Sequence, residues 1–431
     1  MAGPGFDTAL NRLLDLEPVK PSGPQSTGMA IPDPDLVASF NPRQLSSAFY
    51  DNPYPTYHAL RQHAPLYRCP DDTVFVTRHA DLNRIYRDPK TFSSAKEAQF
   101  KPLFGDSPLY HHHTTSLVFS DPPLHTSVRK ALGDALAPRV VAAMEPALVS
   151  LVDGLLDNIA ELRSFDMMDD FASVIPIEVI GNLLNVARED RGPLRAWSAA
   201  ILGALEFGLD AKMLDDGNRA VIEFVDFLSG LIAERRAHLD GDDIITRLLK
   251  WESDDFRLSD HQIYHQCIFL LNAGHETTTN LIGNGVHALL QRPDQLQRLL
   301  DQPGLIGSAV EEFLRFEAPV QLGNRITTKP ATFDGIEYAT GTTFTLAIGA
   351  ANRDPAVFDR PDELDVSRAP NPHLAFGGGI HACAGMAVAR LEAKVAIGRL
   401  LQRFPTLQQD GTPIRARRAR FRGFESLPLR I

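Results

Sequence analysis

The chain has few of the features that mark exported, membrane-spanning or disulfide-rich proteins. Its 431 residues include only three cysteines, and Cys69, Cys267 and Cys383 are too few and too widely spaced to form a fully paired framework. No apolar run reaches the roughly eighteen residues that span a bilayer, and no basic stretch followed by a hydrophobic one stands at the amino terminus. We therefore expect a soluble, unexported, cytoplasmic protein.

The chain also lacks a basic excess and internal linkers. Its net charge of −11 argues against nucleic acid or an anionic membrane surface as a partner, and 44% hydrophobic residues suffice for a large core. Residues 1–34 are expected to form an extended lead-in, because residues 18–34 are rich in proline and small polar residues, with one or two helical turns at residues 10–16. Residues 35–431 contain no comparable break, which predicts a single domain.

Hydrophobic periodicity predicts a mainly α protein with small β-sheets. The predicted helices lie near residues 139–160, 176–186, 189–208, 216–238, 241–251 and 259–290. The predicted strands are residues 73–77, 325–328, 331–333 and 342–348. The helix ending at residue 290 is apolar along one stripe and, at 1.5 Å per residue, is about 45 Å long, which is enough to cross a large domain.

The most informative segment is HLAFGGGIHACAG, from His373 to Gly385. It places Cys383 in a glycine-rich loop, immediately before a helical pattern over residues 386–404. Glycines permit a tight turn in which backbone N–H groups point toward the sulfur, and a helix amino terminus favours negative charge. The sequence therefore predicts a stabilised thiolate, which suits an electrophile or a metal.

Two simpler interpretations of this loop were weighed. A lone cysteine is most often a buried free thiol. Gly377, Gly379 and Ala382 also fit the dinucleotide pattern G-x-G-x-x-A, but no clean strand precedes them and too few residues follow for a βαβ unit. The spacing F-x-x-G-x-[H/R]-x-C-x-G fits better, and through it the chain resembles the cytochrome P450 family. The matching residues are Phe376, Gly379, His381, Cys383 and Gly385.

That resemblance implies the cytochrome P450 fold, with a long central helix over a haem b group whose iron is held by the Cys383 thiolate. Within the predicted helix, Ala273 to Asn280 read AGHETTTN, where glycine and threonines favour local unwinding. Thr279 replaces the second histidine of H-E-x-x-H, so no zinc site is expected. The resemblance implies that Ala273 and Gly274 leave room for dioxygen, and that Thr277 and Glu276 deliver protons to it.

The resemblance also implies a buried brace and a set of haem carboxylate partners. Glu312 and Arg315 form E-x-x-R, which by itself is more often a solvated helix pair. The family often adds a second arginine, but here Glu363 occupies that position, so Arg360 or Arg368 remains open as the third member. The side chains expected to contact the haem propionates are His125 and Arg129 in DPPLHTSVR, Arg325, and His381.

By family position, the substrate pocket is expected to draw on several apolar side chains. They are Phe100, Phe104, Leu202, Val320, Leu322 and Phe424. Such a lining favours a small or medium apolar organic molecule. The triplet His111, His112 and His113 suggests a metal site, but an exposed loop is the simpler expectation.

These features predict a haem-thiolate monooxygenase that inserts one oxygen atom from O2 into its substrate, by hydroxylation or oxidative dealkylation. Alternatives are a peroxide-driven peroxygenase and a non-catalytic haem sensor. No flavin or iron–sulfur segment is evident, so a separate ferredoxin and its reductase are expected to supply electrons from NAD(P)H to a monomer. The expected docking patch comprises Arg84, Arg87, Arg129 and Lys130.

Overall fold

Helices dominate the computed structural model, which describes residues 33–133, 135–241, 243–253 and 256–431. The helices before the central one are α1 Asp35–Ala38, α2 Ser47–Asp51, α3 Tyr54–His63, α4 His79–Arg87, α5 Glu97–Phe104, α6 Pro108–Thr115, α7 Leu124–Gly133, α8 Pro138–Ala143, α9 Glu145–Leu162, α10 Val174–Leu183, α11 Leu194–Gly203, α12 Ala211–Ala237 and α13 Ile244–Lys250. From the central helix onward they are α14 Asp260–Leu290, α15 Pro293–Asp301, α16 Ile306–Phe316, α17 Ile348–Ala351 and α18 Met386–Arg403. A π-helical turn, Met167–Ala172, precedes α10.

The strands are short and form small sheets. They are β1 Leu66–Arg68, β2 Val74–Val76, β3 Phe92–Ser93, β4 Ser164–Asp166, β5 Glu252–Ser253, β6 Phe256–Arg257, β7 Leu322–Thr327, β8 Ala331–Phe333, β9 Ile336–Tyr338, β10 Thr343–Ala347, β11 Gln408–Gln409, β12 Ile414–Arg415, β13 Phe424–Ser426 and β14 Pro428–Arg430. The largest sheet has the order β1-β2-β10-β7-β3. Within it β10 runs parallel to β2 and antiparallel to β7, with Thr345 opposite Phe75 and Asn324.

The predicted elements recur with shifted boundaries. Residues 33–431 form one compact unit. Of the predicted lead-in, only Asp33 and Pro34 belong to the described residues. Its predicted helical turns at residues 10–16 lie outside them. The helix expected over 139–160 is two helices, α8 and α9. No helix among the described residues is long and apolar enough to cross a membrane.

Helix α14 forms the centre of the fold, and its local sequence explains where it starts. The Ser259 hydroxyl accepts the Gln262 N–H while the Gln262 side chain accepts the Ser259 N–H, which is a capping box. Helices α10, α11, α12, α16 and α18 pack around α14. Because apolar residues on several faces of α14 are buried against these neighbours, tertiary packing rather than helix propensity stabilises it.

The predicted unwinding of α14 at residues 273–280 is wrong, because the helix is continuous from Asp260 to Leu290. The Thr277 hydroxyl donates to the Ala273 carbonyl at 2.7 Å, and the Thr279 hydroxyl donates to the His275 carbonyl at 2.9 Å. These bonds satisfy the hydroxyls without displacing the backbone donors, so the helix keeps its course through the polar patch.

Candidate functional site

The glycine-rich loop packs tightly against α4 before it leads into α18. Gly379 has φ +65°, and a Cβ added there would lie 1.9 Å from the Tyr86 carbonyl oxygen, so only glycine fits. The Cys383 N–H donates to the Phe376 carbonyl at 2.9 Å, which closes the loop. Gly385 caps α18, so Cys383 stands just before the start of that helix. The loop thus presents the Cys383 side chain to the interior on a rigid support.

The electrostatics of Cys383 differ from the sequence expectation. Burial raises the pKa of the Cys383 thiol, and the Gly385 N–H together with the charges of Arg129 and Arg390 only partly opposes this effect. The loop alone therefore does not hold a thiolate. A coordinated metal cation supplies the missing positive charge and deprotonates a thiol directly, so this sulfur suits metal ligation better than free nucleophilic chemistry.

Cys383 lines a cavity of about 880 Å³ that the middle of α14 also lines. The residues that α14 contributes are Phe269, Leu270, Asn272, Ala273, Gly274, Thr277, Thr278 and Leu281. Gly274 also has a packing role, because a Cβ there would lie 2.7 Å from Ile180 Cδ1 in α10. The cavity lies within the range of small-molecule and cofactor sites.

The four residues expected to contact propionates all line this cavity, namely His125, Arg129, Arg325 and His381. The His125 and His381 rings lie 4.1 Å apart, and neither nitrogen of His125 has a hydrogen-bond partner among the described residues. Burial, together with the nearby charges of Arg325, His125 and Arg129, lowers the pKa of His381 to about 3, so its imidazole is neutral. A partly buried cluster with two guanidinium charges and unused imidazole donors suits anionic partners, which two haem carboxylates would provide.

Lys96 is a further cation in this region that the sequence did not reveal. It is only 1% exposed, and its Nζ has no hydrogen-bond partner among the described residues. Burial, together with the charges of Arg325 and Arg420, lowers the pKa of Lys96 to about 7. In the sequence, a lysine just before a helix is indistinguishable from a solvated one, so only the fold shows that it is buried.

The structure separates the predicted acid and alcohol on α14. Thr277 lies on the cavity wall, whereas Glu276 is not among the lining residues and instead forms an ion pair with Arg418 of the carboxyl-terminal segment. Arg418 also lies 3.5 Å from Glu206, which accepts the Ala419 and Arg420 N–H groups. Burial raises the pKa of Glu276, while Arg418 lowers it. Glu276 is therefore held by a partner 142 residues away along the chain.

A second carboxyl group, that of Glu392, lines the cavity. This residue of α18 is fully buried and interacts with the Thr278 hydroxyl. Burial raises the pKa of Glu392 to about 8, so this side chain is largely protonated at neutral pH. Sequence reasoning missed this group, because a lone glutamate in a charged helical pattern is normally exposed.

The predicted brace is a buried hub around the Glu312 carboxylate. Arg315 donates from Nε and Nη2 at 2.8 Å each, and both side chains are 0% exposed. The open third position is filled by Arg368, whose Nε lies 3.1 Å from both Glu312 oxygens. Arg360 instead pairs with Glu363 at 2.8 Å. Asp365 N–H and Asn371 Nδ2 complete the hub and tie the segment before the cysteine loop to α16.

Five of the six predicted pocket residues line the cavity: Phe100, Phe104, Leu202, Val320 and Leu322. Phe424 does not. Its ring packs against His287 at 4.7 Å between centroids, with Arg415 Cζ 3.8 Å from the ring centre, so the β13 register directs it into the core. Phe421, three residues earlier, lines the cavity instead.

The expectation that His111, His112 and His113 lie in an exposed loop is wrong, because they lie in a helix and two of them are buried. Pro108–Thr115 is the helix α6, and only His111 is exposed. His112 and His113 are buried and line the cavity. The Ser107 side chain caps α6, a signal that the Ser-Pro sequence carries and that predicts a helix start. No group of three or more His, Cys, Asp or Glu side chains placed to hold a metal ion occurs among the described residues.

Comparison with known proteins agrees with this geometry. The family model described as Cytochrome P450 matches residues 199–302 and 305–426. The chain is 37% identical over 388 residues to the biotin biosynthesis cytochrome P450 of Bacillus subtilis (strain 168), covering 89% of this chain and 97% of that relative. It is 38% identical over 367 residues to vitamin D(3) 25-hydroxylase of Pseudonocardia autotrophica, covering 84% of this chain and 89% of that relative. The crystal structure of P450BioI with hexadec-9Z-enoic acid ligated acyl carrier protein gives a TM-score of 0.84 at 35% identity, covering 90% of this chain and 100% of that one.

Proposed function

The chain belongs to the cytochrome P450 family of haem monooxygenases, and we propose that it inserts one oxygen atom from O2 into a small or medium apolar organic substrate. The reaction is a hydroxylation or an oxidative dealkylation. Electrons pass from NAD(P)H through a ferredoxin reductase and a ferredoxin to haem b in a monomeric, cytoplasmic enzyme.

One observation carries the proposal: Cys383 lines the same cavity as Ala273, Gly274 and Thr277 of α14, and a cluster with two arginines lines it as well. Cys383 would ligate the haem iron. His125, Arg129, Arg325 and His381 would bind its carboxylates, and Lys96 belongs to the same cationic cluster because its charge acts on His381. When bound, haem supplies the site for O2 reduction and oxygen-atom transfer.

The remaining chemistry falls to side chains of the chain itself. Proton delivery into an apolar cavity needs groups on its wall, and the Thr277 hydroxyl is there. Glu276 can take part only when it releases Arg418, whereas Glu392 already holds a proton at neutral pH beside Thr278. We infer that Thr277 transfers protons at the cavity wall and that the two carboxyl groups supply them.

The substrate proposal depends on the lining. Aromatic and aliphatic side chains dominate the part of the cavity that faces α5, α11 and the segment before β7, including Phe100, Leu202 and Val320. One relative is named vitamin D(3) 25-hydroxylase, which is consistent with an apolar substrate. Apolar contact excludes water from the site and binds such a substrate without selecting one orientation.

The decisive measurement is the absorption spectrum of the reduced, carbon-monoxide-bound holoprotein. We expect a strongly red-shifted Soret band in the wild type, loss of that shift in Cys383→Ser, and its retention in the matched control Cys69→Ser. Cys69 is buried but does not line the cavity. An unshifted band in freshly folded wild-type protein would rule out thiolate ligation and with it the proposed function.

A further inference from the structure

Two buried asparagines on α14 differ sharply in their surroundings. Asn284 is 1% exposed and fully bonded: its Nδ2 donates to the Glu317 carbonyl at 3.2 Å and the Arg422 carbonyl at 2.8 Å, and its Oδ1 accepts from Arg415 at 3.0 Å. Asn272 is 2% exposed, yet neither its Nδ2 nor its Oδ1 has a hydrogen-bond partner among the described residues. Asn284 is a structural tie between segments. Asn272 has no such role.

Asn272 lines the cavity and directly precedes Ala273, at the wall that faces Cys383. Buried amide groups are nearly always hydrogen-bonded, because an unmet donor or acceptor weakens the fold. An apolar side chain would fill this helix position at lower cost. The unused polar atoms of Asn272 are therefore best explained by a ligand that bonds to them.

Two further side chains that line the cavity also have a buried polar atom without a hydrogen-bond partner in the described part of the chain. His112 and His113 are each 2% exposed and line the cavity, and His112 Nδ1 and His113 Nε2 have no hydrogen-bond partner in the described part of the chain. His113 stands among aromatic rings that also line the cavity, with ring centroids 5.6 Å from Phe100 and 5.5 Å from Phe104. A polar atom thus interrupts an otherwise apolar wall.

The two histidines are held against α14 by a defined contact. The Gln266 side chain donates to the Thr115 carbonyl at 2.7 Å and accepts the Leu117 N–H at 3.0 Å, which fixes the end of α6 to α14. Asn272 lies six residues beyond Gln266 on the same helix. The Gln266 contact therefore holds α6 against α14, and all three side chains lie on these two helices and not on a loop.

The protonation states of His112 and His113 indicate which kind of ligand they and Asn272 would bind. Burial lowers the pKa of His113 to about 3, and burial followed by the charge of His113 places the pKa of His112 well below its ordinary value. Both imidazoles are neutral at physiological pH, so each offers one donor and one acceptor, and the Asn272 amide offers both kinds as well. Neutral groups of this type suit an uncharged oxygen function, whereas a carboxylate would lack a counter-charge from them.

We propose that Asn272, His112 and His113 form a polar subsite that binds an uncharged hydroxyl or carbonyl oxygen on an otherwise apolar substrate. This inference rests on the proposed monooxygenase function and narrows its substrate class to oxygenated hydrocarbon skeletons. The subsite fixes the orientation of a skeleton that apolar contacts alone would leave free to turn.

The test compares ligands that share one carbon skeleton. Substrate-induced spin-state titration of the holoprotein would use cyclododecane, cyclododecanol, cyclododecanone and cyclododecanecarboxylate. We expect the alcohol and ketone to bind roughly tenfold more tightly than the hydrocarbon and the carboxylate. Asn272→Leu and His113→Phe should each remove most of that preference, whereas Asn284→Leu should leave it unchanged. An equal preference in wild type and Asn272→Leu would overturn the subsite.

A second measurement needs no ligand. Because Asn272 makes no internal hydrogen bond, Asn272→Leu should raise the Tm of the ligand-free holoprotein by about a degree or more, whereas Asn284→Leu should lower it by several degrees. If none of the four probes binds, this comparison decides: a lower Tm in Asn272→Leu would assign Asn272 a structural role and refute the proposal.

The two proposals fail in different ways. A wild-type protein without the red-shifted carbon-monoxide band would refute the haem-thiolate assignment. In a protein that shows the band, loss of the ligand preference and of the stability difference would refute only the polar subsite.

Discussion

Thr277 and Thr279 make the same backbone hydrogen bond on α14 but face different surroundings. Each hydroxyl donates to the carbonyl four residues earlier, yet only Thr277 lines the cavity. Their different positions relative to the cavity arise from orientation around the helix and not from residue type. This pair provides a matched test of proton delivery.

We predict that Thr277→Ala retains haem and substrate binding but lowers product formed per NAD(P)H roughly tenfold, because protons no longer reach the oxygen site and electrons are diverted to hydrogen peroxide. Coupled assays of product, peroxide and NAD(P)H consumption measure this effect. Thr279→Ala should match the wild type. Unchanged coupling in Thr277→Ala would remove this residue from the proton route.

Glu392 should make the folded state less stable as the pH rises. Its pKa rises from the ordinary 4.5 to about 8 on burial. Below pH 4.5 both folded and unfolded chains are protonated, so the carboxyl has no effect. Between 4.5 and 8 only the unfolded chain ionises, and the folded state loses stability as pH rises, by about 1.4 kcal/mol per pKa unit.

We therefore predict that Glu392→Gln equals the wild type in stability near pH 4 and exceeds it by a few kcal/mol near pH 8. Denaturation of the holoprotein across this range measures the difference. Glu311→Gln is the control, because the pKa of Glu311 is shifted in the opposite direction. Arg390 and His373 bond to Glu311 and hold its pKa at about 2, despite the opposing effect of burial, so this variant should be less stable at neutral pH. A constant Glu392→Gln difference across the pH range would contradict the assignment.

At the scale of elements, the Glu312 hub joins α16 to the segment that leads into the cysteine loop. Five groups donate to one buried carboxylate: Arg315 through two nitrogens, Arg368, Asn371 and the Asp365 N–H. Removing a partner leaves an uncompensated buried charge, which is far more costly than losing an exposed pair. The hub thus sets the position of the loop that carries Cys383.

We predict that Arg315→Ala lowers stability by about 3–5 kcal/mol and weakens haem retention. Arg298→Ala is the matched control, because Arg298 pairs with Asp365 of the same segment at 3.1 Å but is 42% exposed, and it should cost less than about 1 kcal/mol. Thermal unfolding and haem transfer to apomyoglobin measure both effects. Equal losses in the two variants would show that the buried hub has no special role.

For the whole molecule, the net charge of −11 contrasts with local basic positions near the cysteine loop. Arg84, Arg87 and Lys130 are exposed on α4 and α7, although Arg84 also lies 4.2 Å from the Phe333 ring centre. Arg129 faces the cavity instead. The predicted docking patch is therefore reduced to Arg87 and Lys130, with Arg84 partly engaged elsewhere.

We predict that the double variant Arg87→Glu/Lys130→Glu raises the KM for an acidic ferredoxin roughly tenfold at low salt, with the difference shrinking as ionic strength rises. Lys212→Glu/Arg219→Glu on α12 changes the net charge equally, from −11 to −15, since each substitution removes one positive charge and adds one negative charge. Steady-state reduction assays compare them. Equal effects would indicate a response to net charge and not to a docking patch.

The cysteine loop, the E-x-x-R pair and the extent of the central helix could all be predicted from local sequence. These features depend on short-range spacing: Cys383 and Gly379 stand in one loop, Glu312 and Arg315 on one helical turn, and the Ser259 cap marks the start of α14. Backbone geometry and nearest neighbours largely fix such features, so the linear pattern contains the information.

The burial of individual side chains and their contacts with distant partners became apparent from the folded chain alone. Arg368 rather than Arg360 completes the hub, Arg418 holds Glu276 away from the cavity, and Lys96 is enclosed beside Arg325. Each outcome depends on segments far apart in sequence. The charge, protonation and hydrogen bonding of a buried group depend on these neighbours, so the polar wall of Asn272, His112 and His113 became visible only in the folded chain.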